Sequence, residues 1–134
     1  MTKPDFSGRW RFDPSSCEAD TPTPRFHELV IEQDGDRFRF VLVRGAGPDG
    51  EVQEYRLVIG EEHPPIPQGP ATLHPWLEWK GADLQLSFVV RIEGEEGSWL
   101  VRLALGEGGV LLHAHEHFRG FGQDQDAIRT FVRT

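Results

Sequence analysis

The sequence predicts an all-β, antiparallel fold of about eight to nine strands in a single domain spanning residues 1–134. Three observations lead there. Apolar residues recur with a period of two from Gly8 onward. Gly- and Asp-rich clusters of turn-forming type interrupt these runs at short intervals. No stretch holds a 3.6-residue period long enough for a helix; "GQDQDAIR", where Asp124 or Asp126 would cap a turn, runs at once into β-branched residues and reads as the start of a strand.

The strands follow in order as "GRWRFD", "FHELVIEQ", "RFRFVLVR", "EVQEYRLVI", "LHPWLEWK", "LQLSFVVRI", "SWLVRLAL", "LLHAHEHFR" and "AIRTFVRT". In the sixth, Leu84, Leu86, Phe88, Val90 and Ile92 share one parity while Gln85, Ser87 and Arg91 take the other, with Val89 out of place. The same alternation sets Trp10 with Phe12, Phe38 with Phe40 and Leu42, Tyr55 with Leu57 and Ile59, and Trp99 with Val101, Leu103 and Leu105. Hairpin signals stand at "QDGD" (33–36), "GPDG" (47–50), "KGAD" (80–83), "GEEG" (94–97) and "GEGG" (106–109), so neighbouring strands should be antiparallel.

Two stretches break the rhythm. Residues 14–25 carry Pro14, Pro22 and Pro24 and read as an extended linker without paired helices. Residues 61–75, "EEHPPIPQGPATLHP", hold five prolines; lacking the amide donors of a ladder, this segment should arch over an end of the fold, as a lid or as a stiff connection.

Composition bounds the function. A chain of 134 residues buries one core, and 37% hydrophobic residues with nine Phe and four Trp suffice to fill it. The formal net charge of −8 and the lack of a basic stripe argue against nucleic acid as a partner. A single cysteine, Cys17, precludes an internal disulfide, and "MTKPDFSGRW" has no signal-like apolar run, so a cytoplasmic location is expected. No segment approaches the ~20 apolar residues of a membrane-spanning helix, and membrane insertion is not expected. There is no phosphate loop, Gly-x-Ser-x-Gly, His-Glu-x-x-His or Cys-x-x-Cys, and neither a metal nor a cofactor is expected.

Periodicity alone does not choose between a closed barrel and two stacked sheets. The opening "DFSGRWRF" carries a Gly-x-Trp pattern and the closing "AIRTFVRT" an Arg-x-aromatic strand; with "FSGRWRFDPSS", "WKGADLQL" and "LLHAHEHFRG", the chain resembles a group of uncharacterised bacterial lipocalin-like (calycin-type) β-barrels over nearly its full length, and more distantly fatty-acid-binding proteins. The resemblance implies a single antiparallel up-and-down lipocalin-like β-barrel. It also implies that Trp10 packs at the barrel floor under a late arginine: Arg133, Arg129 or Arg119. Fatty-acid-binding proteins place two short helices after their first strand, for which the proline linker here leaves no good place.

"HAHEH" at 113–117 sets His113, His115 and His117 on one parity. At ~3.4 Å per residue the outer two stand about 13 Å apart, too far to share one ion. Val110, Leu112, Ala114 and Phe118 lie on the parity of Glu116, and the greasier face should turn inward. That favours an exposed histidine row, with a polar wall of an interior cavity as the first alternative and, last, a metal held by two of the row with a third ligand such as His74, His27 or Glu78. An inward Glu116 would need a partner, for which Arg129 is the natural choice.

The expected function is binding of a small, largely apolar or amphiphilic molecule, with or without a carboxylate, in the barrel interior. The candidate ligand-binding residues are Trp10, Phe38, Phe40, Tyr55, Trp79, Phe88, Trp99, His115, Glu116, Arg129 and Phe131, with Arg129 as the anchor for a carboxylate. So many large side chains favour a small or partly filled cavity, whereas the resemblance favours a hollow one. Two other classes compete: a barrel enzyme using Glu116 and a histidine as acid and base, and a ligand-free interaction module assembling, for instance as a homodimer, through a strand edge.

Overall fold

The computed structural model describes residues 4–19, 27–44 and 51–134. The strands are β1 (Gly8–Ala19), β2 (Glu28–Asp34), β3 (Arg37–Arg44), β4 (Glu51–Val58), β5 (Ile66–Gln68), β6 (Ala71–Lys80), β7 (Asp83–Ile92), β8 (Glu95–Leu105), β9 (Leu111–Gly120) and β10 (Gln123–Arg133). All pairings are antiparallel, in one sheet of order β4-β3-β2-β1-β10-β9-β8-β7-β6-β5. The sheet curls until its two ends approach, where the Gly60 N–H after β4 donates to the Leu77 carbonyl of β6 at 2.9 Å.

Ten strands replace the expected eight to nine. The addition is β5, inside the proline-rich arch, and β6 also begins within that arch at Ala71. Proline is tolerated here because both strands lie by the open edge: β5 pairs only with Ala71–Leu73, so the missing amide of Pro75 falls where β6 has lost its outer neighbour. The 14–25 linker is likewise strand up to Ala19, its ladder with β10 shifting register between Asp13 and Glu18, where Pro14 lies. The rest of that linker and the "GPDG" turn lie outside the described residues. Two hairpins pair a non-glycine at positive φ with a following glycine, Glu93 (50°) with Gly94 (81°) and Phe121 (53°) with Gly122 (75°), the combination that matches the strands' twist. "GEGG" forms a short 3₁₀ turn, Glu107–Gly109.

The two-residue period does the sorting. Leu84, Leu86, Phe88 and Val90 are buried on β7, and Leu112, Ala114 and Glu116 on β9, while His113 and His115 face outward. One end of the interior is sealed. Phe6 and Trp10 are completely buried there; Phe6 packs 5.9 Å from Trp79, and Phe38 meets Trp79 edge-on at 6.0 Å. Residues 4–7 are tied down by Gln33, whose amide accepts from the Phe6 N–H (2.9 Å) and donates to the Pro4 carbonyl (3.1 Å). Outside the floor, Arg133 lies 4.2 Å from the centre of the Trp10 ring, and the Trp10 indole donates to the Phe6 carbonyl at 3.1 Å.

Candidate functional site

At the other end, near the β5–β6, β7–β8 and β9–β10 turns, the interior is not filled. A recess of about 140 Å³ is lined by Leu42 of β3, Gln53 of β4, Gln68 of β5, Ala71 and Leu73 of β6, Val90 of β7, Trp99 of β8 and Phe118 of β9. Each arrives by strand alternation. Register places Trp99 opposite both Phe88 and Phe118, and sets Ala71 opposite Gln68. Trp99 is stacked on Phe88 with centroids 4.9 Å apart, and Phe88 meets the Tyr55 ring at 5.2 Å, so the back wall is a packed aromatic row. Such packing fixes the indole orientation and leaves little room for the wall to collapse.

The polar side of the recess is made, among the described residues, by neutral amides. The Tyr55 hydroxyl lies 3.0 Å from Gln53 Oε1 and 3.3 Å from Gln68 Oε1, with one proton to donate to either. Gln53 and Gln68 stand on β4 and β5, on opposite sides of the gap in the sheet, so Tyr55 draws the two edges together at the mouth. Farther along the gap, His63 Nε2 accepts the Val58 N–H at 2.9 Å and holds the proline segment to the end of β4.

One inward step below Phe118 on β9, Glu116 meets Arg129 of β10 in a hydrogen-bonded ion pair whose side chains are 5% and 2% exposed. Register explains the meeting: Glu116 faces Ala127 and Arg129 faces Ala114, which makes the two long side chains diagonal neighbours over two small ones. The guanidinium proposed as an anchor for an incoming carboxylate thus already holds one from its own chain.

The remaining sequence-derived candidates fall in four places. Trp99 and the Tyr55 hydroxyl belong to the recess and its mouth, with Phe88 behind them. Phe40 and Phe131 are buried in the core, Phe131 against Phe12 at 5.7 Å, and Trp10, Phe38 and Trp79 form the sealed floor. His115 is a correction: it points outward and pairs with Asp126 at 2.7 Å, because the apolar parity of β9 belongs to Leu112, Ala114 and Glu116. His117 lies beside Asp124 at 2.9 Å on the same outer face, and His113 contacts the Thr130 hydroxyl at 3.2 Å. Among the described residues, no group of three or more His, Cys, Asp or Glu is arranged to hold a metal ion.

Sequence reasoning missed Gln53, Gln68, Leu42, Leu73, Val90, Ala71 and Phe118 as lining residues. Gln53 was within reach, since it shares parity with Tyr55 and Leu57. Gln68 was not, because a three-residue strand among prolines carries no period.

On the outer surface three carboxylates are held below the usual range, Asp5 first by the hydrogen bond from the Ser7 N–H. Glu54 is lowered first by its hydrogen bond from Arg39 and then by that from Arg56; Glu78 is lowered first by the Trp76 indole and then by Lys80. Among the described residues no helix is long and apolar enough to cross a membrane.

No protein-family model matches the chain, and no curated protein matches it in sequence. Solved structures do match in shape. The zebrafish ileal bile acid-binding protein complexed with cholic acid superimposes with a TM-score of 0.64 at 19% identity, covering 96% of this chain and 98% of that one. Human cRBP IV gives 0.61 at 18% identity over 98% and 99%, and a REP1-NXSQ fatty acid transporter 0.64 at 12% identity over 96% and 95%. At these identities the likeness is one of fold alone, a curled antiparallel β-barrel architecture.

Proposed function

We propose that this protein binds a small, largely apolar molecule in the recess at the open end of its curled sheet. The observation that carries the reading is the contrast between the two ends: four aromatic rings plug the floor, while Leu42, Leu73, Val90, Trp99 and Phe118 surround an unfilled space. Apolar walls with a few converging polar groups are the usual composition of a ligand site. The volume is close to the ~150 Å³ apolar cavity that admits benzene, so a single ring or a short chain fits without rearrangement. The structural neighbours described as bile-acid-binding and fatty-acid-transporting support small lipid-like molecules as the ligand class.

The acid–base alternative loses its geometry. Glu116 lies inside the sheet and His115 lies outside it, so these groups do not converge on one substrate. The test is a titration with toluene followed by the backbone and indole N–H resonances of the ¹⁵N-labelled protein. Saturable shifts are expected at Trp99, Val90 and Phe118 and should vanish in Ala71→Phe, which fills the recess. The absence of saturable shifts at these residues would overturn the reading.

A further inference from the structure

We infer that the ligand is electrically neutral and carries a hydrogen-bonding oxygen, which Gln53 and Gln68 recognise at the mouth of the recess. The inference rests on the interior-binding reading above and adds a chemical class to it.

Two independent features lead to it. The first is the polar mouth. Gln53 and Gln68 both line the recess, and both turn their carbonyl oxygens to the Tyr55 hydroxyl. Each amide also carries N–H donors, which suit a carbonyl, ether or hydroxyl oxygen. Because the amides come from β4 and β5 across the gap, a ligand oxygen between them would be gripped from two sides.

The second feature is charge. Among the described residues, no Lys, Arg, His, Asp or Glu lines the recess. The nearest interior charges by register, Glu116 and Arg129, neutralise each other one step deeper on β9 and β10. A carboxylate entering the recess would leave water for apolar walls and neutral amides, with no cation among the described lining residues to replace its hydration. Were it to reach for Arg129, it would meet Glu116 there, and two carboxylates cannot share one buried guanidinium without repulsion. An alcohol, amide or ketone of the same size meets neither penalty.

Matched single-ring probes test this: toluene, benzyl alcohol and benzoate, titrated at neutral pH into the full chain and followed by NMR. Benzyl alcohol should bind at least about tenfold more tightly than benzoate. Gln53→Leu and Gln68→Leu should weaken benzyl alcohol severalfold more than they weaken toluene. Benzoate binding as well as benzyl alcohol would overturn the inference, as would Leu variants that weaken toluene and alcohol alike. Should either variant fail to fold, the ranking on the unaltered protein decides by itself. Failure of all three probes to bind would overturn the interior-binding reading; binding of toluene without preference for the alcohol would overturn this inference alone.

Discussion

Glu116 and Arg129 pair inside the sheet, diagonal to each other across β9 and β10 and almost fully removed from water. Their effect on stability is set by what is left behind when one is lost. Glu116→Ala strands a buried guanidinium and should cost about 3–5 kcal/mol, read from urea unfolding midpoints. Replacing both, as Glu116→Met with Arg129→Met, should be neutral or stabilise by about 1–4 kcal/mol. A single variant as stable as the parent would show that the pair is not buried as described.

At the sealed end, Trp10 is completely buried and Arg133 lies over its outer face. Trp10→Ala should cost about 3–5 kcal/mol through cavity formation. Arg133→Ala should cost less, about 0.5–2 kcal/mol for the cation–π contact, plus the donation to the Gly109 carbonyl at 3.0 Å. Gly8→Ala should be costlier than a usual surface exchange, because Gly8 has φ +146° and its added methyl would run into the Arg133 guanidinium. Thermal melts rank the three; a Trp10→Ala midpoint equal to the parent's would contradict the floor.

The outer histidine row should be silent toward the interior. His115→Ala removes an exposed pair with Asp126 worth about 0.2–1 kcal/mol and leaves toluene titrations unchanged. Loss of binding in that variant would place His115 on the wrong face.

Acid should weaken the fold in part through Glu54 and Glu78. Both carboxyls titrate below the usual glutamate range when folded, so their stabilising contribution is present above that range and is lost as pH falls through the lowered values. Urea midpoints from about pH 6 to about pH 3 should fall less steeply for Glu54→Gln with Glu78→Gln than for the parent. The effect is small because both side chains face solvent. An unchanged acid slope would contradict it.

Where the chain alternates, its structure could be read from sequence. The inward turn of Glu116 against the outward turn of His115 follows from counting Leu112, Ala114 and their neighbours, and the need for Arg129 follows from the cost of a lone buried carboxylate. For Trp10 the resemblance left Arg133, Arg129 and Arg119 open as partners, and Arg133 is the one that lies over the ring. What could not be read has no period. β5 is three residues among prolines and is created by its pairing with Ala71–Leu73; Phe6 precedes the first strand and is held by Gln33 from β2. The recess itself is a difference between side-chain volumes at seven strands, and single-strand alternation says only which residues face inward, not whether they meet.

The most direct test of the central claim is a crystal structure of the protein soaked with benzyl alcohol. The ring should lie between Trp99 and Phe118 with its hydroxyl within hydrogen-bonding distance of Gln53 or Gln68. A recess closed by these side chains, or one that stays empty while the alcohol binds elsewhere, would contradict the account.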